Sequence, residues 1–221
     1  MTRMIALALL LVTAAPGQAQ EAAPPPPQAE APAPVPAPPP PAPKAETVRV
    51  SIQTSEGPIT LELEKERAPA TTANFLRYVD QKRFDGTTFY RAMKLTEDGK
   101  YGIIQGGLQN DPKRLFPPVK HEPTSTTGLS HVDGAISMAR GAPDTATADF
   151  FITIGDLVSL DANPSQPGDN LGFAVFGHVA EGMDVVRRIM AAPISPTKGE
   201  GSMVGQMIDK PITIVSVRRA D

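Results

Sequence analysis

The chain has 221 residues and a formal net charge of −3. It contains no cysteine, which excludes disulfides, thiolate catalysis and zinc–thiolate sites. No long basic run occurs, so neither nucleic acid nor an anionic membrane surface is expected as a partner.

The N-terminus reads as a secretory leader. Arg3 supplies the positive charge, an apolar stretch runs from Met4 to about Ala15, and Gly17-Gln18-Ala19 is a small-x-small cleavage pattern. Cleavage is expected after Ala19, giving a leader of residues 1–19. A spanning helix needs roughly 20 apolar residues, so no stable membrane insertion is expected. The expected destination is outside the cytoplasm, the periplasm if the host is a Gram-negative bacterium.

Residues 20–46 are mostly Pro, Ala, Gln and Glu, with proline runs at Pro24–Pro27 and Pro38–Pro41. Such runs form neither helix nor sheet and favour polyproline II, at about 3.1 Å per residue. A linker holding a domain off a surface is the simplest reading. A self-substrate or a ligand for a proline-binding partner is the alternative.

From Thr47 onward, over residues 47–221, the pattern becomes that of a folded domain. Val48, Val50 and Ile52 alternate with polar residues, as do Ile59, Leu61 and Leu63, with Ser55-Glu56-Gly57-Pro58 as the turn of an antiparallel hairpin. Pro69 suits a first helical turn, and Thr72, Phe75, Leu76 and Val79 follow at helical spacing. Short strand-like runs come next: Thr88 to Ala92, Ile103 to Gln105, Ala135 to Met138, Phe150 to Ile154 and Ala174 to Val179. Val185, Val186, Ile189 and Met190 mark a second helix, and Ile212 to Val217 a last strand. The expected fold is a mainly β, closed eight-stranded antiparallel β-barrel capped by two α-helices, because closure removes the edges that short strands leave open.

The chemistry of covalent catalysis is missing from the pattern. The three histidines, His121, His131 and His178, form no H-x-x-x-H or H-E-x-x-H spacing. His131 with Asp133 is the one suggestive pair, and it reads as a loop histidine. No G-x-S-x-G elbow occurs, and Gly199-Glu200-Gly201 with Gly205 lacks the spacing of a phosphate loop. Neither metal nor cofactor is expected.

The segments Thr87-Thr88-Phe89-Tyr90-Arg91, Ile103-Ile104-Gln105-Gly106-Gly107, Gly134 to Arg140 and Asp149-Phe150-Phe151-Ile152, taken in this order, resemble the cyclophilin family. Thr87-Thr88-Phe89-Tyr90-Arg91 is similar to its T-x-F-[HY]-R strand, and Ile103-Ile104-Gln105-Gly106-Gly107 to M-x-Q-G-G. Gly134-Ala135-Ile136-Ser137-Met138-Ala139-Arg140 is similar to G-x-[LI]-[SA]-M-A-[NR], and Asp149-Phe150-Phe151-Ile152 to S-Q-F-F-I. Leu160-Asp161, Phe173 to Gly177 and Glu181 to Asp184 follow in the family's order, and Thr54 to Phe75 matches its opening block. The resemblance spans about Val48 to Val217.

It implies a peptidyl-prolyl cis/trans isomerase with Arg91 as the catalytic residue. Phe151, Met138, Leu160 and Phe173 would hold the proline ring, beside Ile103. Gln105 would bond the substrate backbone, Ala139 and Arg140 would run along it, and Asp149 would stand in the same site. The implied partners are proline-containing segments of exported proteins, and the implied state is a monomer.

Several positions depart from the family pattern. Asp149 replaces a usual Gln, Phe173 a usual His or Tyr, and Ser159 stands near an aromatic position that helps bind cyclosporin. Tyr101-Gly102 stands where the family has Gly-Phe, so a pocket phenylalanine is missing or exchanged for Tyr101, and Leu95 to Lys100 is an insertion. A facing carboxylate and guanidinium attract, so Asp149 is expected to pair with Arg140 or Arg91. These departures leave open a peptide-binding module or chaperone with little catalysis.

Overall fold

The computed structural model describes residues 45–220. The expected leader (1–19) and residues 20–44 of the Pro/Ala-rich segment lie outside the described residues. The elements in chain order are β1 (Thr47–Thr54), β2 (Gly57–Glu64), α1 (Pro69–Asp80), β3 (Thr87–Lys94), β4 (Gly102–Gly107), α2 (Thr124–Thr127), β5 (Ala135–Met138), β6 (Phe150–Ile154), β7 (Ala174–Glu181), α3 (Met183–Met190) and β8 (Met207–Arg219). The strands close into an antiparallel barrel in the order β1-β2-β7-β5-β6-β4-β3-β8. The expected barrel and its two capping helices are present. The third helix, α2, is a single turn of Thr-Ser-Thr-Thr, ended by Gly128 in the left-handed conformation (φ 68°).

Alternation in β1 and β2 becomes burial. Val50, Ile52, Ile59, Leu61 and Leu63 all point inward and are wholly buried, and Thr54 pairs with Gly57 across the two-residue turn. From α1, Phe75 enters the core and meets Phe84, Phe150 and Phe176 at centroid distances of 5.0, 5.4 and 5.3 Å. Burying such a ring is worth about 2–3 kcal/mol. Helix α3 buries Val185, Val186, Ile189 and Met190. Strand β8 starts at Met207 rather than near Ile212. Pro211 hides this in the sequence, since proline donates no ladder hydrogen bond; here it lies between two paired stretches, Met207 on Arg91 and Ile212 to Ile214 on Phe89 to Thr87.

One irregularity positions the site. In β3, Phe89 pairs with Gly106 but Arg91 pairs with the adjacent Gln105, so Tyr90 is a bulge. Side chains alternate across a strand, so Phe89 and Arg91 would otherwise share a face. The extra residue reverses the parity: Phe89 and Ala92 sit in the core, while Arg91 and Met93 face outward and line a cavity.

Candidate active site

Register lines up the site across the outer face of the barrel. Met207 of β8 pairs with Arg91, Arg91 with Gln105, Gln105 with Phe151, and Phe151 with Ser137. Arg91, Ile103, Gln105, Ala139, Arg140, Asp149, Phe151, Leu160 and Phe173 all line one cavity of about 800 Å³. Met138 does not. The pleat that turns Ala139 toward the cavity turns Met138 into the barrel, where it belongs to the main core and is 1 % exposed. It supports the recess from beneath rather than lining it.

The apolar end of the cavity is built by Ile103, Phe151 and Leu157, with Met93, Ala139, Leu160 and Phe173 packed against them. Phe173 meets Phe151 edge-on, centroids 5.4 Å apart. Tyr101 is not part of this wall. It packs against Gly155 and lines a separate cavity with Asp98 and Lys100, because the 95–100 insertion carries it to the far end of the β3–β4 hairpin. Met93 stands on the pocket side instead.

Arg91 is held by neutral groups. Its Nη1 donates to Gln105 Oε1 (2.8 Å), its Nε and Nη2 donate to Gln206 Oε1 (2.9 and 2.6 Å), and Nη2 also approaches the Met93 sulfur at 3.4 Å. Among the described residues no carboxylate forms an ion pair with it. Burial draws its pKa below the ordinary arginine value. Gln105 in turn donates from Nε2 to the Tyr90 hydroxyl (2.7 Å), so the bulge residue fixes the amide. Burial also raises the Tyr90 pKa, helped by the Asp149 charge.

Asp149 does not pair with Arg91 or Arg140. Its carboxylate accepts the backbone N–H of Gln109 (2.9 Å) and of Asn110 (3.3 Å). Both residues have positive φ, 49° and 57°, so a tight loop aims its amides at the carboxylate. Burial pushes the Asp149 carboxyl above the ordinary range, against these hydrogen bonds. Arg140 spends its donors elsewhere: on Asp169 (2.6 and 3.0 Å), on the Gly141 carbonyl (2.9 Å) and on the Gly172 carbonyl. Its guanidinium thereby covers Phe173, 5.3 Å from the ring centroid.

His131 pairs with Asp161, not with Asp133. Its Nδ1 donates to Asp161 Oδ1 (2.5 Å) and its Nε2 accepts from Ser137 Oγ (3.0 Å), the tautomer following from the carboxylate's inability to donate. Asp133 instead accepts the Gly155 N–H and pairs with Arg187. The Ser–His–Asp order resembles a nucleophile relay, but Ser137 and His131 are completely buried. No substrate atom can reach that hydroxyl, so the relay is a support behind the pocket. Gln206 and Met93 escaped the sequence reading as well. Gln206 lies in a glycine-rich segment without periodicity, and only the register of β8 on β3 brings it to Arg91.

The fold is that of solved cyclophilins. A cyclophilin-type peptidyl-prolyl cis-trans isomerase of Cryptosporidium parvum superposes with a TM-score of 0.60 at 22 % identity, covering 80 % of this chain and 99 % of that one. A second structure of that protein, in the presence of the dipeptide Ala-Pro, gives 0.57 at 23 % identity, covering 78 % and 99 %. The family model "Cyclophilin type peptidyl-prolyl cis-trans isomerase/CLD" matches residues 49–219. Peptidyl-prolyl cis-trans isomerases of Acinetobacter baylyi and Streptomyces antibioticus are each 35 % identical over 170 residues, 76 % of this chain and 82 % and 95 % of theirs. The chain belongs to the cyclophilin-type peptidyl-prolyl cis-trans isomerases.

Proposed function

We propose that this isomerase acts on X–Pro bonds in exported proteins during their folding, and that Arg91 donates to the prolyl nitrogen as the bond twists. The barrier to rotation is about 20 kcal/mol because the amide is partly double-bonded. Twisting breaks that conjugation and localises a lone pair on nitrogen, so no covalent bond need form. A catalyst must bind the twisted amide better than the planar one. A fixed, charged donor in a partly dry recess does this, and a gain of about 5 kcal/mol gives several thousand-fold acceleration.

The observation that carries the reading is the cavity itself: a guanidinium that no carboxylate among the described residues pairs with stands beside an aromatic recess. In this reading Phe151, Leu160, Phe173 and Ile103 take the proline ring, with Met138 supporting from the core. Gln105 keeps one Nε2–H for a substrate carbonyl, and Ala139 and Arg140 offer their backbone to the peptide. Asp149 shapes the adjoining loop. Export is supported by Arg3, the apolar stretch from Met4 and Gly17-Gln18-Ala19. Of the residues that pointed to a non-catalytic binding module, Asp149 supports a loop, Phe173 forms the aromatic wall and Ser159 is exposed on the 3₁₀ turn at Val158–Leu160, while Arg91, Gln105 and Phe151 meet in one cavity, so the catalytic reading is preferred.

The test is cis-to-trans exchange of a short X–Pro peptide. Wild type should accelerate it, and Arg91→Ala should lose about 100-fold or more of kcat/KM, as for removal of one transition-state donor. Acceleration unaffected by Arg91→Ala would sink the role of Arg91. N-terminal sequencing of the secreted product should find Gln20 first; intact Met1 would sink the cleavage reading.

A further inference from the structure

We infer that Gln206 is a positioning residue for Arg91, a neutral clamp that fixes the guanidinium's direction without neutralising its charge. The inference rests on the role proposed for Arg91.

Counting donors leads to it. A guanidinium has five N–H groups. Gln206 Oε1 takes the Nε–H and one Nη2–H, the Met93 sulfur takes the other Nη2–H, and Gln105 Oε1 takes one Nη1–H. One Nη1–H is left for a substrate. Two amide oxygens, one from Gln105 in β4 and one from Gln206 just before β8, therefore fix the plane of the group and select the donor that remains.

Gln206 is itself held. Its Nε2 donates to the Ser202 carbonyl (2.8 Å), its backbone N–H to Met203 O (3.1 Å), and its carbonyl accepts from Ala92 N–H (2.9 Å). Flipping the amide would set its NH₂ against the guanidinium and lose the Ser202 bond, so the oxygen faces Arg91. A glutamate here would bind Arg91 more strongly, as a charge-assisted fork. It would also place a full negative charge beside the cation that must stabilise a lone pair. The amide gives direction without that opposing charge.

The experiment uses the full chain, peptide exchange from pH 4 to 8, and the Arg91 Nε–H resonance. Gln206→Ala should lower kcat about tenfold with KM changed under about twofold, the loss expected when a transition-state donor is misdirected rather than removed. Its Arg91 Nε–H signal should broaden or exchange faster. Gln206→Glu, nearly isosteric and so the safeguard against misfolding, should keep a sharp, shifted Arg91 signal and yet lose kcat at pH 7. Its activity relative to wild type should rise as the pH falls toward about 4, where carboxylates take up protons. A merely structural residue would show no such pH-dependent ratio. If both variants keep wild-type kcat at every pH while Arg91→Ala is inactive, the inference fails and the role of Arg91 stands. If Arg91→Ala is fully active, both fail.

Discussion

The His131 imidazole lies flat against Phe151, ring centroids 5.8 Å apart and planes within 9° of parallel. Asp161 and Ser137 hold the imidazole from its two nitrogens, so the aromatic floor of the pocket rests on a hydrogen-bonded plate. Burial lowers the His131 pKa, and the Asp161 hydrogen bond and charge only partly oppose this.

That shift has a sign. The folded chain takes up the His131 proton at lower pH than the unfolded chain, whose histidine titrates near 6.5. Between those values the unfolded state binds more protons, so stability rises with pH across the window. Urea unfolding should show stability falling as the pH drops below about 6.5, and His131→Gln should flatten that slope. The variant should also cost about 1–3 kcal/mol, since Asp161 and Ser137 lose a buried partner. An unchanged slope would remove His131 as its source.

Asp149→Asn separates loop support from charge pairing. The amide oxygen can accept only one of the Gln109 and Asn110 N–H groups, and its NH₂ faces the other. Amide hydrogen exchange at one of these two should quicken about tenfold, the equivalent of roughly 1.4 kcal/mol, with little change at Arg140. Because the folded Asp149 pKa is raised, its contribution is greatest below about pH 3.9 and declines as the pH rises through the folded value. The substitution should abolish that decline.

Gly107→Ala should be among the most damaging single changes at the site. Gly107 has φ +134°, and a Cβ there would meet the Asp149 carboxylate, with the Asp149 Cα at 2.7 Å and the Ala148 carbonyl at 3.0 Å. Backbone strain of this kind costs about 1–3 kcal/mol before any collision. Thermal unfolding should shift down by several degrees, and isomerase activity should fall because Asp149 is displaced. An unshifted midpoint would mean that the strand can slide to make room.

Cyclosporin should inhibit weakly. Ser159 is exposed on the 3₁₀ turn at Val158–Leu160 and offers little apolar area where the family resemblance leads one to expect an aromatic ring. Competition in the peptide assay should need micromolar or higher concentrations; nanomolar inhibition would contradict the assignment of that position.

Local pattern carried most of the fold. Period-two alternation at Val48 to Ile52 and Ile59 to Leu63 survives as β1 and β2 because a strand's inside and outside are written in neighbouring residues. Phe75 and Ile189 report helices for the same reason. Much of the site was also legible, since Arg91, Gln105 and Phe151 lie in short motifs that one strand each can carry. The family resemblance places Met138 in the pocket and leaves Tyr101 open as a replacement for the missing phenylalanine, because proximity in sequence does not say which face of a pleat, or which end of a hairpin, a side chain takes.

By itself, then, the sequence determined the strands, the helices and the residue types that reach the site, all consequences of local alternation and composition. Only the tertiary structure decided how they meet. The bulge at Tyr90 turns Arg91 outward, and that depends on how β3 registers with β4. Gln206 reaches Arg91 across 115 positions, and Asp161 reaches His131 across 30. Such contacts are set by barrel closure and strand register, which bring together side chains that no local spacing relates.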